Sequence, residues 1–411
     1  MFAAKMLDLE SAETLNFISE TLTEAHEKSN HLGVLITSMS LVLSRRIYSC
    51  DTCVPREILE APGYGIGLSM QYLTLVTKHV NGLIAELTTS RASPEYQSMM
   101  ERHLNQVNAA GKRQSDLEFS GPHEACPYGS EQFELLNKIE PDDIRILEDE
   151  IDNLIRLPDQ ALDIKHLGVS YPTFFHRPGS DLIVEALTQL GLPTDGDIRS
   201  SEYMAVSAYE PGMCHFGHVA NSGICHGGHY HDKALLVVEY DNATFSVSHL
   251  RVFLSQMLVW DDAFIDPALG GHAFQETNLS ESQAYCKNVT QRIAKLIKVQ
   301  ADIRKQTYAR LERCIVVGEL AHDLGLREAL FLAFHDSLDP RDVDELLGGY
   351  REDWNPIFIP AMGAATLTKD YVDAPKPLGC SEPVECGRMR REVRRNSMME
   401  SKGEDKLDGE L

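Results

Sequence analysis

The clearest hydrophobic pattern in the chain is the unbroken apolar run Leu235-Leu236-Val237-Val238. Asp241-Asn242 follows it, and then a strict alternation through Thr244, Phe245, Ser246, Val247 and Ser248. A continuous apolar run fits a strand covered on both faces, and period-two alternation fits a second strand. Asp-Asn tolerates positive φ, so residues 235–250 predict a hairpin. A second hairpin is predicted from Tyr72–Val76 to Leu83–Leu87, because Asn81-Gly82 between them is a strong short-range turn signal.

Helical periodicity surrounds these strands. Residues 1 to about 30 carry Leu7, Leu15, Ile18 and Leu22 among many Glu residues and read as a helix. The run Leu32–Leu43 reads as a core strand. Tyr96–Val107 and Glu140–Leu157 predict helices, the latter with Asp142 and Asp143 in its first turn and Ile144, Leu147, Ile151 and Leu154 on one stripe. Leu167–Tyr171 is a short strand stopped by Pro172. A helix then carries Ile183, Ala186, Leu187 and Leu190 and closes at Gly191. Glu202–Tyr209 is a helix of small residues suited to close packing. A long helix from about Ser282 to Arg313 leads into a strand at Cys314–Val317. Further helices are expected at about Arg327–His335 and from the segment Asn355–Ala365 to about Tyr371. Beyond Ala374, Pro, Gly, Ser and charge dominate, and the stretch predicts a disordered tail.

Composition narrows the class. A chain of 411 residues at 43% hydrophobic is ordinary globular material, large enough for two lobes. A net charge of −24 argues against nucleic acid, whose phosphates call for excess Lys and Arg. No apolar run is long enough to span a bilayer, and no export signal is visible, so a cytoplasmic location is expected. The nine cysteines are then expected as reduced thiols. Cys50-Asp51-Thr52-Cys53 is a single CxxC without a partner pair, and Cys380 and Cys386 read as exposed tail thiols.

Taken in order, five segments give the chain a resemblance to the nucleotide-binding domain of DnaK-type heat-shock chaperones, within the actin-like ATPase superfamily. It looks nearest the divergent chaperone-like proteins of filamentous fungi. The segments are Gly65–Tyr72; Gly168–Pro172 with its following helix; Ser201–Tyr209; Glu239–Ser248; and Val316–Gly318 with Gly363–Ala365. They stand respectively at the family's first phosphate hairpin, its V-P-A-Y-F segment, its connecting helix, its second phosphate hairpin, and its adenosine motif with the closing G-A-A. The resemblance implies an α/β, two-lobed actin-like (ribonuclease-H-like) fold. An N-terminal extension (1–62), lobe I (63–195), lobe II (196–373) and a tail (374–411) are expected, without the family's peptide-binding domain.

The same resemblance implies a site for ATP or ADP with Mg²⁺. Glu202 and Glu239 stand at the catalytic acids, and Gly65, Ser69, Gln71, Asn242, Ala243, Thr244, Gly318 and Gly363 at the nucleotide contacts. Such a site needs glycine-rich hairpins whose N–H groups cradle phosphate, with carboxylates that hold Mg²⁺ through water. The chain departs from it. Gly67 replaces an acid, Ser69 a glycine, and Met70 and Gln71 two threonines; Asp241-Asn242-Ala243 replaces three glycines, and Ser246 a second acid. No lysine takes the catalytic position, Lys78 being misplaced. A pseudo-ATPase acting through protein contacts is therefore expected, an ATP-binding ATPase with altered loops being the alternative. A third reading is a zinc module. Cys214, His215, His218, Cys225, His226, His229 and His231 place five of the sixteen histidines in one short segment with two potential thiolates.

Overall fold

The computed structural model describes residues 53–404 except 116–139, 158–161, 176–178, 195, 210–232, 254–256, 273–278, 304–309, 374–382 and, apart from Val343 and Leu346, 339–353. The expected N-terminal helix, the strand at Leu32–Leu43 and the His/Cys segment lie outside the described residues.

Two sheets carry the chain. The first has the order β3-β2-β1-β4-β5, built from β1 (Gly63–Leu68), β2 (Tyr72–Lys78), β3 (Ile84–Arg91), β4 (Leu167–Tyr171) and β5 (Ile198–Ser200). The second has the order β8-β7-β6-β9, from β6 (Lys233–Tyr240), β7 (Phe245–Phe253), β8 (Met257–Asp266) and β9 (Arg310–Val317). Each sheet opens with an antiparallel three-strand meander and then adds a strand parallel to its first, β4 beside β1 and β9 beside β6. Parallel neighbours need a crossover, and helices supply it. They are α2 (Pro94–Ser115) and α3 (Pro141–Arg156) in lobe I and α6 (Leu279–Ile303) in lobe II. The α/β, two-lobed fold expected from the sequence is the fold found.

Both predicted hairpins form. Gly82 has φ +87°, and Asn81 Oδ1 accepts from Leu83 N at 2.9 Å, which closes the β2–β3 turn. The buried stripe of α3 includes Leu147, Ile151 and Leu154, as its periodicity predicts. The long helix expected to about Arg313 is shorter: α6 ends at Ile303, and β9 already begins at Arg310. Helical periodicity does not mark where an apolar segment changes to strand.

Helices α4 (Gly179–Gln189), α5 (Ser201–Tyr209), α7 (Leu324–His335) and α8 (Ile359–Asp373) complete the lobes. Helix α8 lies against β1, β4 and α5 with almost no side chain between the backbones. A Cβ on Gly65 would stand 2.0 Å from Ala361 O, and one on Gly363 would stand 1.8 Å from Met204 O. One core cluster runs from Val76 through Ala205 and Val206 to Leu235, Val237, Ile315 and Val317, with Ala361, Met362 and Ala365 of α8 in it. Strands of both sheets thus share one apolar core around α5 and α8.

The C-terminal stretch is a correction to the sequence reading. Val384–Glu404 is a helix, α9, not a disordered tail. Charge and Gly obscured a narrow apolar stripe of Cys386, Met389 and Val393 at helical spacing, and Cys386 and Val393 are 1% and 3% exposed. The stripe packs on Val54, Ile58 and Leu59 of α1 (Arg56–Glu60) and its flank, and on Val372 of α8. Cys386 is not an exposed thiol: it is disulfide-bonded to Cys53, with the Cα atoms 5.1 Å apart. The CxxC cysteine therefore has its partner 333 residues away. Arg390 donates to Val372 O at 3.0 Å, and buried Lys369 donates to Leu59 O and Ala61 O at 2.7 and 2.9 Å while pairing with Asp373.

Two outcomes follow from this packing. Gly65→Ala should lower stability by about 3 kcal/mol, because backbone rather than a flexible side chain blocks the new methyl group. Urea unfolding should show a lower midpoint at unchanged m. Cys386→Ser should lose about 2–4 kcal/mol relative to the oxidised protein and should make unfolding less sensitive to added thiol.

Candidate functional site

The carboxyl ends of β1, β5, β6 and β9 converge on one cleft, the place where open α/β sheets present ligand-binding loops. Gly67, Leu68, Ser69, Tyr72, Thr74, Ser201, Glu239, Asp241, Val317, Gly318, Glu319, Ile357 and Pro360 line it, around a cavity of ≈ 20 Å³. β6 and β9 run parallel with Glu239 opposite Val317, so the turns that follow them lie side by side.

The first hairpin turn closes on itself. Ser69 Oγ accepts from Gln71 N at 3.3 Å and Tyr72 N at 3.0 Å, and Ser69 N donates to Tyr72 O at 2.9 Å. Three amides at the tip are thus already engaged by the chain. A serine at this position supplies an acceptor where glycine would leave the amides open.

The second turn does the same with a carboxylate. Asp241, 4% exposed, accepts from Glu319 N through Oδ1 at 3.0 Å, and Asp241 N donates to Thr244 O at 3.0 Å. Gly271 N and His272 N donate to Asp241 O and Asn242 O, both at 2.9 Å. Gly318 makes this possible: its φ is +103°, and a Cβ there would stand 2.5 Å from Tyr240 O and 2.7 Å from Asp241 Oδ1. Asn242 donates from its side chain to Glu319. Ala243 packs against the lobe I core.

Four acids gather here: Glu202, Glu239, Asp241 and Glu319. Among the described residues that line the cleft there is no Lys, Arg or His. Ser201 Oγ lies 2.8 Å from Glu239 Oε2 and 3.4 Å from Glu202 Oε2, and Thr173 Oγ1 donates to Glu202 Oε2 at 2.6 Å. A hydroxyl carries one proton, so Ser201 can donate to only one of the two carboxyls at a time. Both contacts are satisfied when Glu239 holds a proton and donates it to Ser201, which then donates to Glu202. The electrostatics agree: burial, then the Asp241 and Glu202 charges, push Glu239 up to about 8. Burial also raises Asp241, although the Glu319 amide opposes it. Burial raises Glu202 against the hydroxyls that favour its charged form, and Glu202 Oε1 has no partner among the described residues. Burial raises Glu319, with Arg91 and His272 pulling the other way.

Of the residues picked out in the sequence, Ser69, Glu239 and Gly318 line this cleft, and Glu202 lies behind Ser201. Asn242, Ala243 and Thr244 form the second turn, and Gln71 the first. Gly65 and Gly363 do not reach the cleft: their missing side chains make room for α8 and α5. Lys78 pairs with Asp370 at 2.8 Å, far from any catalytic role. Cys214, His215, His218, Cys225, His226, His229 and His231 lie outside the described residues, among which no group of three or more His, Cys, Asp or Glu is placed to hold a metal ion. Sequence reading missed Thr173, Ser201 and Glu319. An acid directly after a strand-ending glycine was the available signal for Glu319.

No protein-family model matches the chain, and no curated protein matches it. Among solved structures, it is similar to the ethanolamine utilization protein EutJ from Carboxydothermus hydrogenoformans. The identity is 12%, the TM-score 0.37, and the match covers 77% of this chain and 92% of that one. No helix among the described residues is long and apolar enough to cross a membrane.

The acid cluster gives the protein a pH signature. Glu239 binds its proton more tightly folded than unfolded, so its contribution is fully present below the ordinary carboxylate range and is lost as pH rises through about 8. The melting temperature should therefore fall from the ordinary carboxylate value of 4.5 to about one unit above the folded value, near pH 9. Glu239→Gln should raise it at pH 9 by about 2–4 °C and flatten the profile. Calorimetric scans across that range check both.

Proposed function

We propose that this chain is a degenerate, chaperone-like member of the actin-like ATPase superfamily that does not hydrolyse ATP and acts through protein contacts. The observation that supports this most directly is the sign of the cleft. Its turn amides are engaged by Ser69 and Asp241, and its charged lining is Glu239, Asp241 and Glu319.

Magnitudes support this reading. A carboxylate about 4 Å from a phosphate charge costs roughly 1 kcal/mol at the dielectric of water and roughly 4 kcal/mol at an effective value near 20. Micromolar binding is worth only about 8 kcal/mol in total. Two such contacts, from Asp241 and Glu319, are enough to remove it, and none of the described residues that line the cleft is a cation. Size points the same way, since the cavity of ≈ 20 Å³ is room for a water or two rather than for a nucleotide. A protonated carboxyl offers a single O–H, and that of Glu239 is already directed at Ser201, so protonation lowers the repulsion without supplying the donors that three phosphates need. On the surface, Leu324, Phe331 and Leu332 of α7 are exposed at 79%, 42% and 44%, apolar area suited to a protein partner.

Nucleotide binding with altered loops is the second reading, and the retained Thr244 and Glu202 favour it. Zinc on the His/Cys segment is a separate proposal, which metal analysis of the purified protein addresses.

Calorimetric titration of ATP and ADP, each with and without Mg²⁺, separates the first two readings. The expected result is no heat beyond dilution up to millimolar nucleotide. Mg²⁺-dependent binding in the micromolar range would overturn the proposal, and hydrolysis lost in Glu202→Ala would establish the alternative.

A further inference from the structure

Helix α9 carries a feature that the cleft does not explain. Its last buried residue is Val393, at 3% exposure. From Arg394 to Met399 no residue is buried: Arg394 and Arg395 are exposed, Asn396 and Ser397 half-buried, and Met398 and Met399 are 51% and 69% exposed. The disulfide, the Arg390 bond to Val372 and the Arg56–Glu392 pair all lie before this point. The helix therefore has a base packed in the core and an end that, among the described residues, adds nothing to the buried core. Opening that end removes backbone hydrogen bonds but exposes no core, so it costs little compared with unfolding the lobes. Asn396 and Ser397 lower the cost further, because both side chains compete with helical hydrogen bonding.

That end reads Arg394-Arg395-Asn396-Ser397-Met398. Two guanidinium groups three and two residues before a serine, with an apolar residue after it, form the charge pattern that basophilic serine kinases read. The arginines pair with carboxylates of the enzyme, and the apolar residue enters a pocket. We propose that Ser397 is a phosphorylation site for a kinase of this class. Ser397 Oγ attacks the γ-phosphorus of ATP held by the kinase and the bond from phosphorus to the bridging oxygen breaks. ADP leaves, and the hydroxyl proton passes to the base of the kinase. The local charge is suited to such an event. Within a chain of net charge −24, α9 holds six cationic side chains against four carboxylates, and phosphate brings about −2 beside Arg394 and Arg395. The nearest competitor is Lys112-Arg113-Gln114-Ser115, which places Asp116 after the serine instead of an apolar residue.

The test incubates the folded, full-length chain with the catalytic subunit of cyclic-AMP-dependent protein kinase and Mg·ATP and maps the phosphate by mass spectrometry. One phosphate per chain on Ser397 is expected. Ser397→Ala should lose it, and the double variant Arg394→Ala, Arg395→Ala should lower the initial rate by at least about tenfold, the equivalent of about 1.4 kcal/mol of recognition. Both variants lie outside the packed part of α9 and should melt like the parent. Labelling at Ser115, labelling indifferent to the two arginines, or labelling that appears only after the chain is unfolded would each overturn the proposal.

Discussion

Everything in this molecule hangs on the approach of α8 to β1, β4 and α5. The contact is backbone against backbone, so it leaves room for no side chain at Gly65 or Gly363 and only small ones at Ala361, Ala364 and Ala365. Dispersion forces fall steeply with distance, and two elements this close gain many weak contacts that a single added methyl group would lose. Because α8 touches strands of one lobe and, through α5 and the shared core, those of the other, it sets where the strand ends meet. The cleft is a consequence of that placement.

The chemistry of the cleft is free to change for the same reason. The packing constraint falls on Gly65, Gly363 and the alanines of α8, whereas phosphate binding would fall on the tips of the two hairpins. Those tips carry Ser69 and Asp241-Asn242-Ala243, and their internal hydrogen bonds satisfy the turns without a ligand. The acids behind them are held in a hydroxyl network of Thr173 and Ser201 that shares protons rather than pairing with cations. Fold and site are specified by different residues, so one can persist while the other is rewritten.

Much of the fold was legible in the sequence because it is written in local patterns. Leu235–Val238, Asn81-Gly82 and the stripe of α3 each announce their element. The order of five weak segments then gave the architecture that no one of them could. What escaped was non-local. The Cys386, Met389 and Val393 stripe is too narrow to stand out from its charged neighbours, and its partner surface is over three hundred residues away in Cys53 and α1. Glycines posed a similar difficulty. Gly65 and Gly363 look alike whether a glycine makes room for a phosphate or for a helix, and only the packing distinguishes the two. At the site, the acids Glu202 and Glu239 could be named from their positions. That Asp241 would turn inward to hold the Glu319 amide depends on β6 and β9 being neighbours, which sequence spacing does not convey.

The bond between Cys53 and Cys386 has a mechanical side. From one cysteine to the other the chain is a closed ring, and both sheets and the cleft lie within it. A pull applied outside the two cysteines is carried across this covalent link rather than through the hydrogen-bonded sheets. Tension from outside therefore bypasses the lobes. A single cut in any connecting segment between the two cysteines likewise leaves both halves tethered, so the lobes can close again around α8 without a search through solution.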